Sequence, residues 1–493
     1  MVLGHRKSSL SQSNRASGEE TRSDVEEDET VVSSEQGSVL SHIISQLRPG
    51  ADLSRVTLPT FILEPRSMLE RITNFMAHPE TLLPMPEIED PIQRFVAVTK
   101  FYLSGWHIKP PGVKKPLNPI LGETFSGYWD YPDGTRGYYI SEQTSHHPPK
   151  SSYFFMAPEH HIRIDGTLKP RSKFLGNSVG SFMEGIAVMR FLNREERYFI
   201  TQPNMYARGI LFGKMKYELG DHATVKCPET GLEVDIEFKV KGWVGGGYNA
   251  IAGFIKDGKS GKNLYELSGH WHGEMLIKDL ATGKKEVLFD ATHAKPSIPK
   301  SRPLDEQAPR ESQKLWYSTT QAIKKADQKT ATDEKSRIED EQRREAAERG
   351  ETVWRPKLFK PAPPGDEQQL DWIIDAHVDD KGPPEKQIEQ ILAIAPIIPG
   401  QSASEGFQQE HALPSQQGKA PSQVQPQDQK PGPSQGDLID FGQNEAPSQP
   451  NAPAAAGSSG LQQPLRPTKS QRGGPIKRSD SMGGEEVFMD AES

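Results

Sequence analysis

Cysteine is almost absent: the 493-residue chain has one, Cys227. That excludes a disulfide framework and a cysteine-rich zinc site. Apolar residues are scarce too, 34% of the chain, with a mean hydropathy of −0.68. Adding the 43 glycines brings the share to about 43%, still below the ~45–50% of globular domains on that count, so part of this chain builds no core. Positive charge is not in excess: 59 Lys and Arg stand against 67 Asp and Glu, a formal net charge of −8. The overall basic footprint of a nucleic-acid binder is missing, and no nucleic-acid partner is expected. No apolar run approaches the ~18–20 residues that span a bilayer; the longest candidate, Ile391 to Pro399, is broken by Pro396. The first residues carry no apolar signal-peptide core and no glycine at position 2. The expectation is a cytoplasmic protein whose membrane contacts are peripheral.

What is present falls into blocks. Residues 1–35 are Ser- and acid-rich, with Glu26, Glu27, Asp28 and Glu29 in a run, and predict disorder. Val39, Leu40, Ile43, Ile44 and Leu47 then follow helical spacing until Pro49-Gly50 stops it. The pattern leaves open whether this short amphipathic helix packs permanently on the core or moves. A second helix is predicted over 85–104, with Asp90 as N-cap, Pro91 at the first helical position and Ile92, Phe95, Val96 and Tyr102 as its apolar face. From about 120 to 292 the period switches to two. Leu232, Val234, Ile236, Phe238 and Val240 alternate with Glu233, Asp235, Glu237, Lys239 and Lys241, a half-buried strand. Similar stretches run through 138–145, 181–191, 197–201 and 264–269, separated by turns such as Asp133-Gly134, Asp257-Gly258 and Thr282-Gly283. Strands in succession without long helices between them predict a large antiparallel sheet closed into a barrel. A barrel this large cannot fill its interior with its own side chains, so a cavity is expected. Glu311 to Gly350 reads as charged helix, and Trp354, Leu358 and Phe359 as a last apolar anchor. Residues 361–399 read as a linker with a short helix. From 401 to the end there are 15 Gln and 11 Pro but only three aromatics, which predicts a disordered tail from 400 onward.

Three segments carry candidate chemistry. They are 114–123 (Lys-Lys-Pro-Leu-Asn-Pro-Ile-Leu-Gly-Glu), 142–149 (Glu-Gln-Thr-Ser-His-His-Pro-Pro) and a helical stripe of Lys335, Glu339 and Arg343. Singly, each has a bland explanation: a rigid turn, polar residues at a strand end, solvated i, i+4 ion pairs. A metalloenzyme is disfavoured, because adjacent His146 and His147 on a strand point to opposite faces. His270 and His272 share a face but lack a third ligand at telling spacing. No G-x-S-x-G, Walker or H-E-x-x-H pattern is present. No catalytic role, metal or cofactor is expected. Taken together, two histidines, several cations and an Asn form a donor set suited to a phosphate monoester of about −1.5 to −2 charge.

The octapeptide 142–149 closely resembles the fingerprint E-Q-V-S-H-H-P-P of the oxysterol-binding-protein-related family, with Thr144 in place of Val, and 115–123 resembles its second signature. The resemblance spans roughly residues 40–360, giving a lipid-binding domain over 36–360 with a lid over about 36–58. It implies a mainly β fold with helices: a large incomplete antiparallel β-barrel around a lipid tunnel, an N-terminal lid helix, a helical C-terminal part and disordered tails. By motif match, the head group of phosphatidylinositol 4-phosphate would meet Lys115, Asn118, His146, His147, Lys335 and Arg343, with Glu339 orienting its neighbours. Val39, Leu40, Ile43, Ile44 and Leu47 would form the apolar side of the lid.

The resemblance also bears on a second lipid. Residues 56–64 are most similar to the phosphatidylserine-carrying subgroup of fungal homologues, where Leu58 matches an acyl-chain contact. Asn118 and Ser172 match positions that meet the serine head group. The implied function is exchange of phosphatidylserine for phosphatidylinositol 4-phosphate at endoplasmic reticulum–plasma membrane contact sites. A sterol in place of phosphatidylserine, or a phosphoinositide sensor that transfers nothing, are the alternatives. In the tail, 485–493 resembles a degenerate phenylalanine-in-an-acidic-tract peptide, so a VAP-type receptor would meet Phe488, Met489 and Asp490. Residues 437–441 resemble a degenerate clathrin-box peptide.

Overall fold

The structure is a computed structural model that describes residues 29–31, 34–53, 56, 58–212, 214–240, 248–364 and 370–401. The disorder expected for 1–35 and 400–493, like both tail peptides, falls mostly outside these residues. Two parts inside them are corrected. Glu29–Val31 is a strand paired antiparallel with 214–216, and Gln401 Nε2 donates to the Leu392 and Ala395 carbonyls.

Thirteen strands run between Thr124 and Asp290 and, with Glu29–Val31, make one 14-stranded antiparallel sheet. Strands adjacent in sequence are adjacent in the sheet, with one exception. The two 14-residue strands Ser178–Phe191 and Lys214–Cys227 hold two short strands end to end between them, Glu196–Ile200 and Asn204–Arg208. The edge strands Thr124–Asp130 and Lys285–Asp290 do not pair with each other among the described residues, so the barrel stays open rather than closed. The chain beyond the last strand crosses that opening. Lys300 bridges Tyr128 through backbone bonds of 2.8 and 2.9 Å, and Trp129 Nε1 donates to the Ser297 carbonyl at 2.9 Å.

Helix α1 spans Ser34–Ser45 and α2 Pro91–Ser104. The second begins at Pro91 rather than 85, because Pro86 and Pro91 supply no N–H to a continuous ladder; Met85–Glu87 is a separate 3-10 turn. Asp90 caps α2 by accepting from the Gln93 N–H at 2.8 Å. Phe95, Val98, Phe101, Tyr102 and Leu103 are buried against the inner face of the sheet. At ~1.5–3 kcal/mol per buried side chain, this face contributes on the order of 10 kcal/mol as an upper bound. The helix therefore fills one part of the interior and leaves the rest hollow.

The helical stretch 311–350 is broken where Ala326 adopts φ 56°. It gives α3, Tyr317–Lys324, and α4, Gln328–Arg349, the latter capped by Asp327, which accepts from the Thr330 N–H at 3.0 Å.

Residues 361–399 are not a linker. They contain α5, Pro384–Leu392, and the pair Phe359–Pro361 with Trp372–Ile374. Ile374, Val378, Ile391 and Ile397 pack with Leu358 and Phe359 over the outer face of strands Arg136–Ser145 and Lys150–Ala157. The cause is visible in those strands. Tyr139, Tyr153 and Phe155 face the interior while Tyr138, Ile140, Phe154 and Met156 face outward, so both faces need cover. Glu142 fastens the cover from below: its carboxylate accepts from the backbone N–H groups of Lys357 at 2.9 and 3.1 Å and of Leu358 at 2.8 Å.

Candidate functional site

The hollow part of the barrel is a tunnel. Its empty space, including the part open to solvent, is about 2020 Å³. Helix α1 covers it. Leu40 and Ile43 are buried, Ile44 and Leu47 half-buried, and all four line the tunnel. Val39 does not belong to this lid face as expected; it points outward and is 40% exposed. The chain after α1 is stitched to the sheet by backbone bonds from Gly50 to Phe174 (2.7 Å), Phe174 to Ala51 (3.0 Å) and Leu53 to Ser172 (2.9 Å). Leu58 and Ser172 both line the tunnel.

Three separated segments meet at its mouth. Lys115 begins a three-residue strand parallel to Leu63–Ser67, and Asn118 follows in the turn. The next turn is held tightly. Gly122 has φ +73° and its missing side chain leaves room for the Trp354 ring, which a Cβ would approach to 2.5 Å. Glu123 is fully buried. It accepts from the Ser67 hydroxyl at 2.5 Å, the Ser312 hydroxyl at 2.6 Å, the Trp316 indole at 2.9 Å and the Ile120 N–H at 3.0 Å. Burial raises its carboxyl pKa, and these bonds oppose the rise. Glu123 thus fixes the loop that presents Lys115 and Asn118. It belongs to the second signature, but its role depends on partners the sequence places far away.

The octapeptide contributes from the end of its strand. Alternation sends Glu142 outward to Lys357 and Gln143 inward to the tunnel. His146 lines the tunnel, and the exposed His147 ring packs edge-on against it at 4.5 Å.

Helix α4 supplies the third segment, with a register different from the expected stripe. Its buried face is Ala331, Lys335, Ile338 and Gln342. Eight residues do not complete whole turns at 3.6 per turn, so Arg343 drifts off the face that Lys335 occupies. Its side chain is 54% exposed and paired with Asp340. Gln342, missed from the sequence although it sits seven residues after Lys335, takes the inward place. Its Oε1 accepts from the Leu121 N–H at 2.7 Å, which turns its Nε2 toward His146 Nε2, also at 2.7 Å.

The electrostatics follow from burial. Burial, then the Lys335 charge, holds the Lys115 ammonium below its usual range, with Glu339 and Asp52 opposing. Lys335 is buried and paired with Glu339 at 2.6 Å. Burial lowers His146 to about 4; His147 and, more weakly, Arg343 push the same way, while the Pro119 carbonyl opposes. The ring is therefore neutral near pH 7, with its Nε2 accepting from Gln342.

An apolar tunnel covered by the apolar face of α1, with lysines and imidazoles at its mouth, is the architecture of a lipid-binding domain. The chain belongs to the oxysterol-binding protein family, whose profile, described as Oxysterol-binding protein, matches residues 42–322. It is 54% identical over 342 residues to an oxysterol-binding protein homolog of Schizosaccharomyces pombe, covering 67% of this chain and 71% of that one. It is 52% identical over 381 residues to Oxysterol-binding protein homolog 7 of Saccharomyces cerevisiae, covering 75% and 86%. Among solved structures it is similar to the Osh1 ORD domain in complex with cholesterol, with a TM-score of 0.59 at 23% identity over 70% of this chain and 88% of that one. The Osh3 ORD in complex with PI(4)P from Saccharomyces cerevisiae gives 0.53 at 20% identity over 71% and 92%. At those identities the likeness is one of fold.

Proposed function

We propose that this chain is a lipid-transfer protein that extracts phosphatidylserine and exchanges it for phosphatidylinositol 4-phosphate between the endoplasmic reticulum and the plasma membrane. One observation carries the reading: Leu58 and Ser172 line the same tunnel as Lys115, Asn118 and His146. A phosphate at the mouth would relieve the repulsion between Lys115 and Lys335 and accept from Asn118 and a protonated His146. Glu339 and Arg343 would complete the rim. A double-chain lipid with ~30 methylenes would cost on the order of 25 kcal/mol to expose to water at ~0.8 per methylene. A carrier must enclose it, and helix α1 is placed to do so.

The experiment is mass spectrometry of lipids co-purified with, and extracted from vesicles by, the full chain and its His146→Ala/His147→Ala variant. Phosphatidylserine in both, with phosphatidylinositol 4-phosphate bound only by the wild type, is the expected result. Sterol in place of phosphatidylserine would replace the cargo and keep the mouth. No extraction of any lipid would leave a sensor that transfers nothing. A VAP-type receptor is proposed for the tail; peptide 485–493 is expected to bind a VAP domain and to lose binding on Phe488→Ala.

A further inference from the structure

The tunnel wall contains a polar group that none of these roles uses. Gln143 is fully buried and lines the tunnel. Its amide orientation is set from one side, where the Ser151 hydroxyl donates to Oε1 at 2.6 Å. The other side, Nε2, is closed off from solvent and has no hydrogen-bond partner among the described residues. A buried N–H is costly to leave unmade, so such a group is normally matched by something that occupies the space it faces. Leu168, the position across the sheet from Ser151, is apolar and lines the tunnel beside it.

Its depth suggests the partner. Gln143 lies two residues inside Ser145, about 7 Å at ~3.3 Å per residue along a strand, and His146 follows directly at the mouth. A phosphodiester held level with His146, as the head-group linkage of phosphatidylserine, would place that lipid's glycerol esters at about this depth. An ester carbonyl is a good acceptor and brings no donor of its own; an ether oxygen is a poor one.

We infer that Gln143 donates its free amide N–H to an ester carbonyl of the bound glycerophospholipid, and so makes the tunnel prefer ester-linked over ether-linked chains. The inference rests on the glycerophospholipid reading above. A neutral hydrogen bond of ordinary net strength corresponds to a preference of roughly three- to ten-fold.

The test offers the full chain vesicles containing equal amounts of diacyl- and dialkyl-phosphatidylserine and measures both lipids in the protein-bound fraction. The wild type is expected to enrich the diacyl lipid three- to ten-fold. Gln143→Met, close in shape but without the donor, is expected to bring diacyl extraction down to the dialkyl level. Ser151→Ala frees the amide to rotate and is expected to reduce the preference in part. The wild-type and Ser151→Ala ratios keep the test decisive if Gln143→Met does not fold. Equal extraction by the wild type, or an undiminished preference in Gln143→Met, overturns the inference and leaves lipid transfer standing. Extraction of neither lipid overturns the transfer reading, and the inference with it.

Discussion

Loading the mouth with a phosphomonoester head group should take up a proton at His146. In the structure the imidazole is neutral, held at about 4, and its Nε2 accepts from Gln342 at 2.7 Å. One unit of negative charge at ~4 Å in an effective dielectric of ~20 favours the imidazolium by about 4 kcal/mol. Losing the Gln342 bond costs about 1 kcal/mol. The remaining ~3 kcal/mol is about two pH units at 1.36 kcal/mol per unit, so the bound pKa lies near ~6. The bound value exceeds the free one, so the complex holds more protons between them. His146's contribution to affinity is therefore greatest toward ~pH 4, is lost as pH rises through ~6, and is flat above. From pH 5 to pH 7 that contribution should fall about tenfold. The lipid phosphate itself titrates near ~6 in the opposite sense. The quantity to measure is thus the affinity for phosphatidylinositol 4-phosphate vesicles relative to His146→Asn, together with calorimetry at pH ~5.5 in buffers of different ionisation enthalpy. A ratio that stays constant from pH 5 to 7, with no buffer-dependent heat, would refute the reasoning.

Three further outcomes are expected. Leu58→Asp should abolish phosphatidylserine extraction while leaving the far-ultraviolet circular dichroism unchanged, since Leu58 is half-buried at the tunnel wall and lies outside the sheet; undiminished extraction would remove it from the site. Glu123→Ala strands four donors and should lower stability by roughly 3–5 kcal/mol, read as the shift in a urea unfolding curve. His107 is held at about 4 by burial and then by His78, whose Nε2 lies 2.9 Å from its own. A depressed histidine means the unfolded chain binds more protons, so stability should be intact above pH ~6.5 and fall as pH drops toward 4. The loss is on the order of 1–2 kcal/mol for this half-buried ring and should be absent in His107→Phe.

Much of the fold is written in local pattern. The strand Leu232–Lys239 buries each of its four apolar residues and leaves each intervening polar one half-buried or exposed, because a strand's faces alternate and the period alone reports it. The Asp90-Pro91 start of α2 is equally local. The region 361–399 misleads for the opposite reason. Its proline and glutamine content resembles a linker, while the demand it answers, the outward aromatics at 138 and 154, lies over 200 residues earlier. The structure shows that demand as burial that runs unbroken from 137 to 144 on both faces of the strand.

The site divides in the same way. The sequence by itself determined the family, through an octapeptide whose spacing is rarely met by chance, and named Lys115, Asn118 and His146 as candidates for its site. Tertiary structure decided which neighbours hold those residues. Glu123 draws partners from 3, 56, 189 and 193 residues away, and Gln342 reaches His146 across 196. Which member of the α4 stripe faces inward was likewise settled by packing: a helix turns about 100° per residue, so Gln342 rather than Arg343 meets the mouth. Periodicity is a property of the chain within one element. A hydrogen bond between elements depends on where the fold brings them, and leaves no trace in the residues around either partner.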